Sequence, residues 1–287
     1  MNLIYVVIFA MVIWGVSWAS AKMITNYTNL EVILFWRLLV TFISLIPVLW
    51  ITKDSFRIPK KGIPYAIGGA LVMLIYNALF FIGLRTGLSG AGGVFVTTLN
   101  PIINFFLVAL LYKYKLHLWE YIGLALGLAG GLVILKVWGM SLDMLLSGGN
   151  VYFILASFTW AVLSIVTAKS KSYVSPITYS LYLYGIGTVV SFGLALPYDW
   201  LAPLSFDSNF WINIFYLGSI STSFGTTVYF IASSRLGSAK ASSFIFLVPA
   251  SAMLSSWGLL GETPQWTTII GGLLAISAVY LLNRKKD

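Results

Sequence analysis

Thr97, Asn100 and Asn104 recur at i, i+3 and i+7, so a helix carrying them sets one hydroxyl and two amides on a single face. Trp14, Ser17 and Ala21 repeat that spacing, and Ser157, Trp160, Ser164 and Thr167 extend it. Ser219, Thr222, Ser223 and Thr226 form a hydroxyl stripe, and Tyr76, Asn77 and Phe80 cluster. These groups exchange hydrogen bonds and offer flat apolar faces, and none changes charge near neutral pH. Their chemistry is recognition of an uncharged or zwitterionic small molecule, not bond making. The expected lining of such a site is Trp14, Tyr76, Asn77, Phe80, Asn100, Trp160 and Tyr229. Ser and Thr stripes have a second use, close helix packing with cross-helix bonds worth about 0.6 kcal/mol each. Spacing alone leaves both uses open.

Catalytic constellations are missing. The chain has no Cys and a single His, His117, which excludes thiolate chemistry and any His-rich metal site. It has no H-E-x-x-H, no G-x-S-x-G and no paired Asp within an apolar run. No catalytic residue, metal or cofactor is expected, and an intramembrane enzyme is a remote alternative. A channel is another, but no ring of like charges or repeated filter loop is present.

The elements that must hold these residues follow from composition. Of 287 residues, 59% are hydrophobic and only 9% charged, with a mean hydropathy of +0.93. A soluble domain carries about 25% charge, so the chain reads as an all-α integral membrane protein. Runs long enough to cross a bilayer fall at roughly 3–21, 31–51, 63–84, 91–111, 119–136, 150–168, 176–197, 210–232, 239–260 and 266–283. Ala19-Ser20-Ala21 resembles a signal cleavage site, but Met1-Asn2 supplies no basic n-region, so the first run is read as a span.

Orientation follows from the bases. With the N-terminus in the cytoplasm, the inner side holds Lys53, Arg57, Lys60, Lys61, Lys113, Lys115, Lys169, Lys171, Arg235, Lys240, Arg284, Lys285 and Lys286. The outer side holds Lys22, Arg85 and Lys136, and Arg37 lies within a span. The positive-inside rule then sets both termini in the cytoplasm of a plasma (inner) membrane. The net charge of +9 is mostly this topology signal rather than a nucleic-acid footprint. The expected partners are the lipid bilayer and a small-molecule substrate.

The chain also repeats itself. Trp14 recurs as Trp160, Ala21-Lys22 as Ala168-Lys169, Arg85-Thr86-Gly87 as Arg235-Leu236-Gly237, Pro101 as Pro249 and Gly123 as Gly271. The shared offset, 146 to 150 residues, divides the chain into 1–140 and 141–287. Five spans in each half put the two halves in opposite orientations, the architecture of many alternating-access carriers.

Several short words stand out: Phe35-Trp36-Arg37, the stretch from Ala78 to Leu84, Asn100-Pro101, Leu247-Val248-Pro249, Leu260-Gly261-Glu262 and Gly271-Gly272. With them the chain resembles the drug/metabolite transporter superfamily, in its ten-helix EamA-type branch. Tyr112-Lys113 stands where the first half would carry its own Gly-Glu. The resemblance implies a transporter, and the branch includes exporters of aromatic amino acids and related metabolites. It therefore favours export of small neutral or zwitterionic metabolites such as amino acids. A multidrug or organic-cation exporter is the alternative; the superfamily's four-helix multidrug members use a midplane Glu, and no equivalent is found here.

The remaining charges have structural readings. Arg37 could meet a substrate carboxylate, or it could snorkel outward or hold carbonyls of neighbouring helices; because the resemblance includes an Arg here across members of varied substrate, it favours the structural role. Asn29 is a candidate N-cap with Glu31 in the following first turn. Glu120 and Glu262 are expected to face interfacial water or a basic partner, and His117 to be solvated. Gly123, Gly127, Gly130 and Gly131, with Gly271 and Gly272, are expected at close helix contacts.

Overall fold

The structure is a computed structural model that describes residues 3–87, 89–139, 141, 149–252 and 265–283. All its regular elements are helical among those residues. The first half contains α1 (Leu3–Ile24), α2 (Leu30–Thr52), α3 (Ile63–Thr86), α4 (Ser89–Tyr112) and α5 (Leu118–Leu135). The second contains α6 (Asn150–Ser170), α7 (Pro176–Ala195), α8 (Ser208–Leu236), α9 (238–252) and α10 (Trp266–Asn283). Among the described residues, nine helices are long and apolar enough to cross a membrane, and α9 is the tenth. The rest of the expected ninth span lies outside the described residues, together with Leu260-Gly261-Glu262 at its end, as do Arg284, Lys285 and Lys286.

Local signals explain most helix ends. Ser175 caps α7 by accepting from the Thr178 N–H at 3.2 Å, and Pro176 follows at the first helical position. Asp207 caps α8 by accepting from the Phe210 N–H at 3.0 Å. Asn29 holds the extended N-cap backbone of α2, but its side chain makes no capping bond, so Glu31 is left to favour that helix start. Lys53 and Lys136 end α2 and α5 in the left-handed conformation, where glycine is usual. A basic residue at that place in the chain suits the negative end of the helix dipole.

Glu120 departs from expectation. It is buried and turned back onto its own helix start, accepting from the Tyr114 hydroxyl at 2.6 Å and the His117 backbone N–H at 2.8 Å. It supplies the carboxylate half of a capping box, so His117 belongs to a helix cap rather than to a free loop.

Glycine sets the closest packing. A Cβ added at Gly130 would lie 2.8 Å from the Gly271 carbonyl oxygen, and one at Gly271 would lie 2.6 Å from that of Gly130. Gly123 lies equally close to Leu282, which joins α5 to α10 along most of their length. Gly127 and Gly131 serve other neighbours, Phe246 and Thr98. Gly272 is the exception, since its nearest atom would be Ala250 Cβ at an ordinary 3.4 Å. Elsewhere α2 packs on α7, α3 on α6 and α7, α4 on α6, and α1 on the middle of α8.

That middle is wound unusually. Tyr216–Thr226 forms a π-helix between two α-helical segments. Its i→i+5 bonding widens the helix and changes which residues share a face. Two of its carbonyls serve other helices: Gly218 accepts from Thr41 Oγ1 at 3.1 Å and Ser221 accepts from Trp14 Nε1 at 3.1 Å. The hydroxyl stripe expected from a 3.6-residue period is therefore split. Ser219 bonds Ser44 across the α2 interface at 2.7 Å, whereas Ser221, Thr222 and Thr226 turn inward.

Candidate functional site

A cavity lies between the two halves, lined by α1, α2, α3 and α4 from the first and α6, α8 and α9 from the second. Six of the seven expected residues line it: Trp14, Tyr76, Asn77, Phe80, Asn100 and Trp160. The seventh does not. Tyr229 is fully buried behind the wall, its ring 5.3 Å from Trp14 and 5.7 Å from Trp160, with its hydroxyl bonded to Ser164 at 2.7 Å. It buttresses the two indoles instead of facing the space they enclose.

The walls are mostly aromatic. Trp14 and Trp160 meet edge-to-face at 5.2 Å, Tyr76 lies 4.6 Å from Trp160, and Phe80 lies 4.8 Å from Trp18. Such offset and edge contacts are favourable beyond the area they bury. Trp18 was not in the expected set, although its position one turn after Trp14 puts it on the same face. Ser17, Met73, Val96, Ile245 and Val248 also reach the cavity.

Only parts of the polar stripes face it. On α4, Thr97 and Asn100 line the space, while Asn104 does not. Asn100 and Asn104 donate to the α6 carbonyls of Ser157 (3.0 Å) and Ala161 (3.3 Å), a ladder with matching four-residue steps. Asn104 is thus packing glue. Ser157 and Ser164 bond back to Phe153 and Trp160 carbonyls of their own helix, so Trp160 is the α6 side chain that faces the cavity. Among the described residues, the Oδ1 atom of Asn100 is buried without a hydrogen-bond partner.

Arg37 is the largest departure from the sequence reading. It neither snorkels nor binds backbone carbonyls of a neighbour. Buried at 9% exposure, it lines the cavity and donates from Nη1 to Asn77 Oδ1 at 2.9 Å and from Nη2 to Thr222 Oγ1 at 3.1 Å. The faces of Phe80 and Phe81 lie 5.9 and 5.6 Å from its guanidinium carbon. Among the described residues, no Asp or Glu lines the space. Among the described residues, no group of three or more metal-ligating side chains occurs either.

The free space is modest. The centre of a water molecule can sweep about 50 Å3 of it, room for roughly three to five waters. At the end of the bundle that holds Lys22 and Arg85, both bases fold onto backbone carbonyls, Lys22 on Leu84 and Gly87, and Arg85 on Thr25 and Thr28. Tyr27 bonds Asp207 there at 3.0 Å. Near Tyr112, Lys169 and Lys240 lies a roomier cavity, about 450 Å3 by the same measure.

A model of the EamA-like transporter family matches residues 1–136 and again residues 147–284. The chain belongs to the EamA-like transporter family. This EamA-like chain is a multi-pass membrane protein of a transporter family. Curated relatives include the uncharacterized transporter YoaV of Bacillus subtilis, 22% identical over 278 residues, which are 96% of this chain and 94% of that one. Another is YdfC of Bacillus subtilis, 26% identical over 272 residues, or 91% and 86% of the two chains. An uncharacterized transporter of Archaeoglobus fulgidus matches at 27% over 138 residues, 48% of each chain. A protein of Streptantibioticus cattleyicolor named as a probable terminal-alkyne amino-acid exporter is 34% identical over 70 residues, 24% of each chain. A solved crystal structure covers 98% of both chains with a TM-score of 0.76 at 16% identity, a likeness of fold.

Proposed function

We propose that this EamA-like protein exports small neutral or zwitterionic metabolites such as amino acids by alternating access, with the aromatic cavity as the solute site. One observation carries the reading. The cavity sits between the halves and its walls combine flat rings, uncharged hydrogen-bonding groups and a single cation. Such walls suit a solute with an apolar body and a small polar end. They disfavour organic cations, which would meet Arg37 with no carboxylate among the described lining residues to offset it. The amino-acid exporter named above, although similar over a short stretch, points the same way.

The inverted repeat, with boundaries at 1–140 and 141–287, is part of the proposal. Exchanging α1–α5 with α6–α10 maps the α5–α10 and α2–α7 contacts onto themselves, and the α3–α6 contact onto α8–α1. The two family matches divide the chain at nearly the same place. Under this exchange Trp14 and Trp160 are counterparts, and they touch. Inverted halves of this kind rock against each other around a midplane site. The stitched end with Lys22 and Arg85 is then the closed outer gate, and the larger cavity by Lys169 and Lys240 is the inner approach. Both termini face the cytoplasm of the inner membrane in this arrangement.

Uptake into proteoliposomes, with neutral amino acids tested against organic cations, examines the solute class. Saturable uptake of one or more amino acids is expected, and a strict preference for cations would overturn the reading.

A further inference from the structure

We propose that Arg37 is a carboxylate-binding subsite, so that the transported solute carries a carboxylate and docks it on this guanidinium. The proposal rests on the cavity being the transport site and adds which end of the solute goes where. A guanidinium has five N–H donors. Arg37 commits Nη1 to Asn77 and Nη2 to Thr222, both neutral oxygens, and its Nε is buried with no partner among the described residues. One N–H remains uncommitted among the described residues on each terminal nitrogen and one on Nε, and adjacent N–H groups of a guanidinium make the planar fork that matches a carboxylate with two parallel bonds.

Charge balance points the same way. A cation inside a membrane protein normally pairs with a carboxylate or with backbone carbonyls. Here the bonded acceptors are side chains of two other lining residues, so the guanidinium is held at the cavity wall and not drawn away from it. The rings of Phe80 and Phe81 spread its charge without cancelling it. Thr222 comes from the π-wound part of α8, so the fork is held between the two halves, on α3 and α8. An anionic solute group would supply the missing counter-charge in the occupied state. A rearranging interface would then sense whether the subsite is filled.

The test uses the full chain purified in detergent in chloride-free buffer. Thermal stabilisation is titrated with L-leucine, L-phenylalanine and benzoate, each against its amide. The acid should bind at least about 10-fold more tightly than its amide, the factor expected for a hydrogen bond to a charged group. Arg37→Gln should bring that ratio to about one, and Arg37→Lys should restore part of it, because the charge returns without the fork. Equal affinity for acids and amides in the unmodified protein overturns the proposal, as does stabilisation by none of the acids. Stabilisation by chloride alone, to the same extent, assigns the charge to an inorganic ion and overturns it too. Should neither variant fold, the acid-to-amide ratio of the unmodified protein still decides. Proteoliposome transport separates the two ideas: amides moved as fast as acids retire the Arg37 subsite and leave transport standing. Acid-selective binding with no transport retires the transport reading and leaves the subsite.

Discussion

Asn77 offers a sharp test because two substitutions there should move stability differently and transport alike. Its Oδ1 accepts from Arg37 Nη1 at 2.9 Å, its Nδ2 donates to the Met73 carbonyl at 2.8 Å, and the residue is buried. Asn77→Ala strands a buried N–H of a cation, which costs about 1.5–3 kcal/mol. Asn77→Asp keeps the shape and puts an anion against the guanidinium. With charge centres about 4 Å apart and an effective dielectric near 20, the attraction is about 4 kcal/mol. Desolvating the new carboxylate, and setting one of its oxygens where Nδ2 now donates to the Met73 carbonyl, cost several kcal/mol in return, so Asn77→Asp should unfold within about 2 kcal/mol of the unmodified protein. Both variants should lose transport of carboxylate solutes, roughly 10-fold or more in apparent affinity. The Ala variant leaves Arg37 badly aimed, and the Asp variant leaves it already occupied. Thermal unfolding in detergent reads stability, and proteoliposome uptake reads transport. Unaltered transport by Asn77→Asp would refute the reasoning, because a guanidinium that works while paired to an internal carboxylate is not waiting for an external one.

Other outcomes follow from the same geometry. Gly130→Ala should destabilise the protein by about 1–3 kcal/mol, since the new methyl meets the Gly271 carbonyl oxygen, whereas Gly272→Ala should be nearly neutral; thermal unfolding of the pair checks this. Asn100→Ala should impair transport, and Asn104→Ala should lower stability with transport of the folded fraction preserved, which paired uptake and unfolding measurements distinguish. A Cys introduced at Lys60, in a chain that has no other Cys, should react with a membrane-impermeant reagent only after cells are opened.

Much of this was legible in the residues because membrane helices announce themselves by length and apolarity. The spans and the family words needed no coordinates. What sequence could not supply was direction. Arg37 could be assigned a depth along α2, but not whether its long side chain would turn toward lipid, a neighbour's backbone or the cavity, since each lies within its reach. Tyr229 fell on a cavity-facing helix, yet one more layer of rings stands between it and the space. The hydroxyl stripe on α8 serves both uses, and spacing could not divide them: within the π-wound stretch Tyr216–Thr226, Thr222 and Thr226 line the cavity while Ser219 bonds Ser44 on α2. Glu120 looked like a surface acid because it sits at a span end; the Tyr114 hydroxyl and the His117 N–H made burial affordable.

The central claim is that solute binds among these aromatic rings while the two halves rock around it. Counterflow tests it most directly: proteoliposomes preloaded with unlabelled amino acid are diluted into a trace of the labelled compound. Transient accumulation of label above equilibrium, lost in well-folded Trp160→Ala protein, is the predicted result. Label that only equilibrates, or counterflow that survives Trp160→Ala unchanged, would contradict the account.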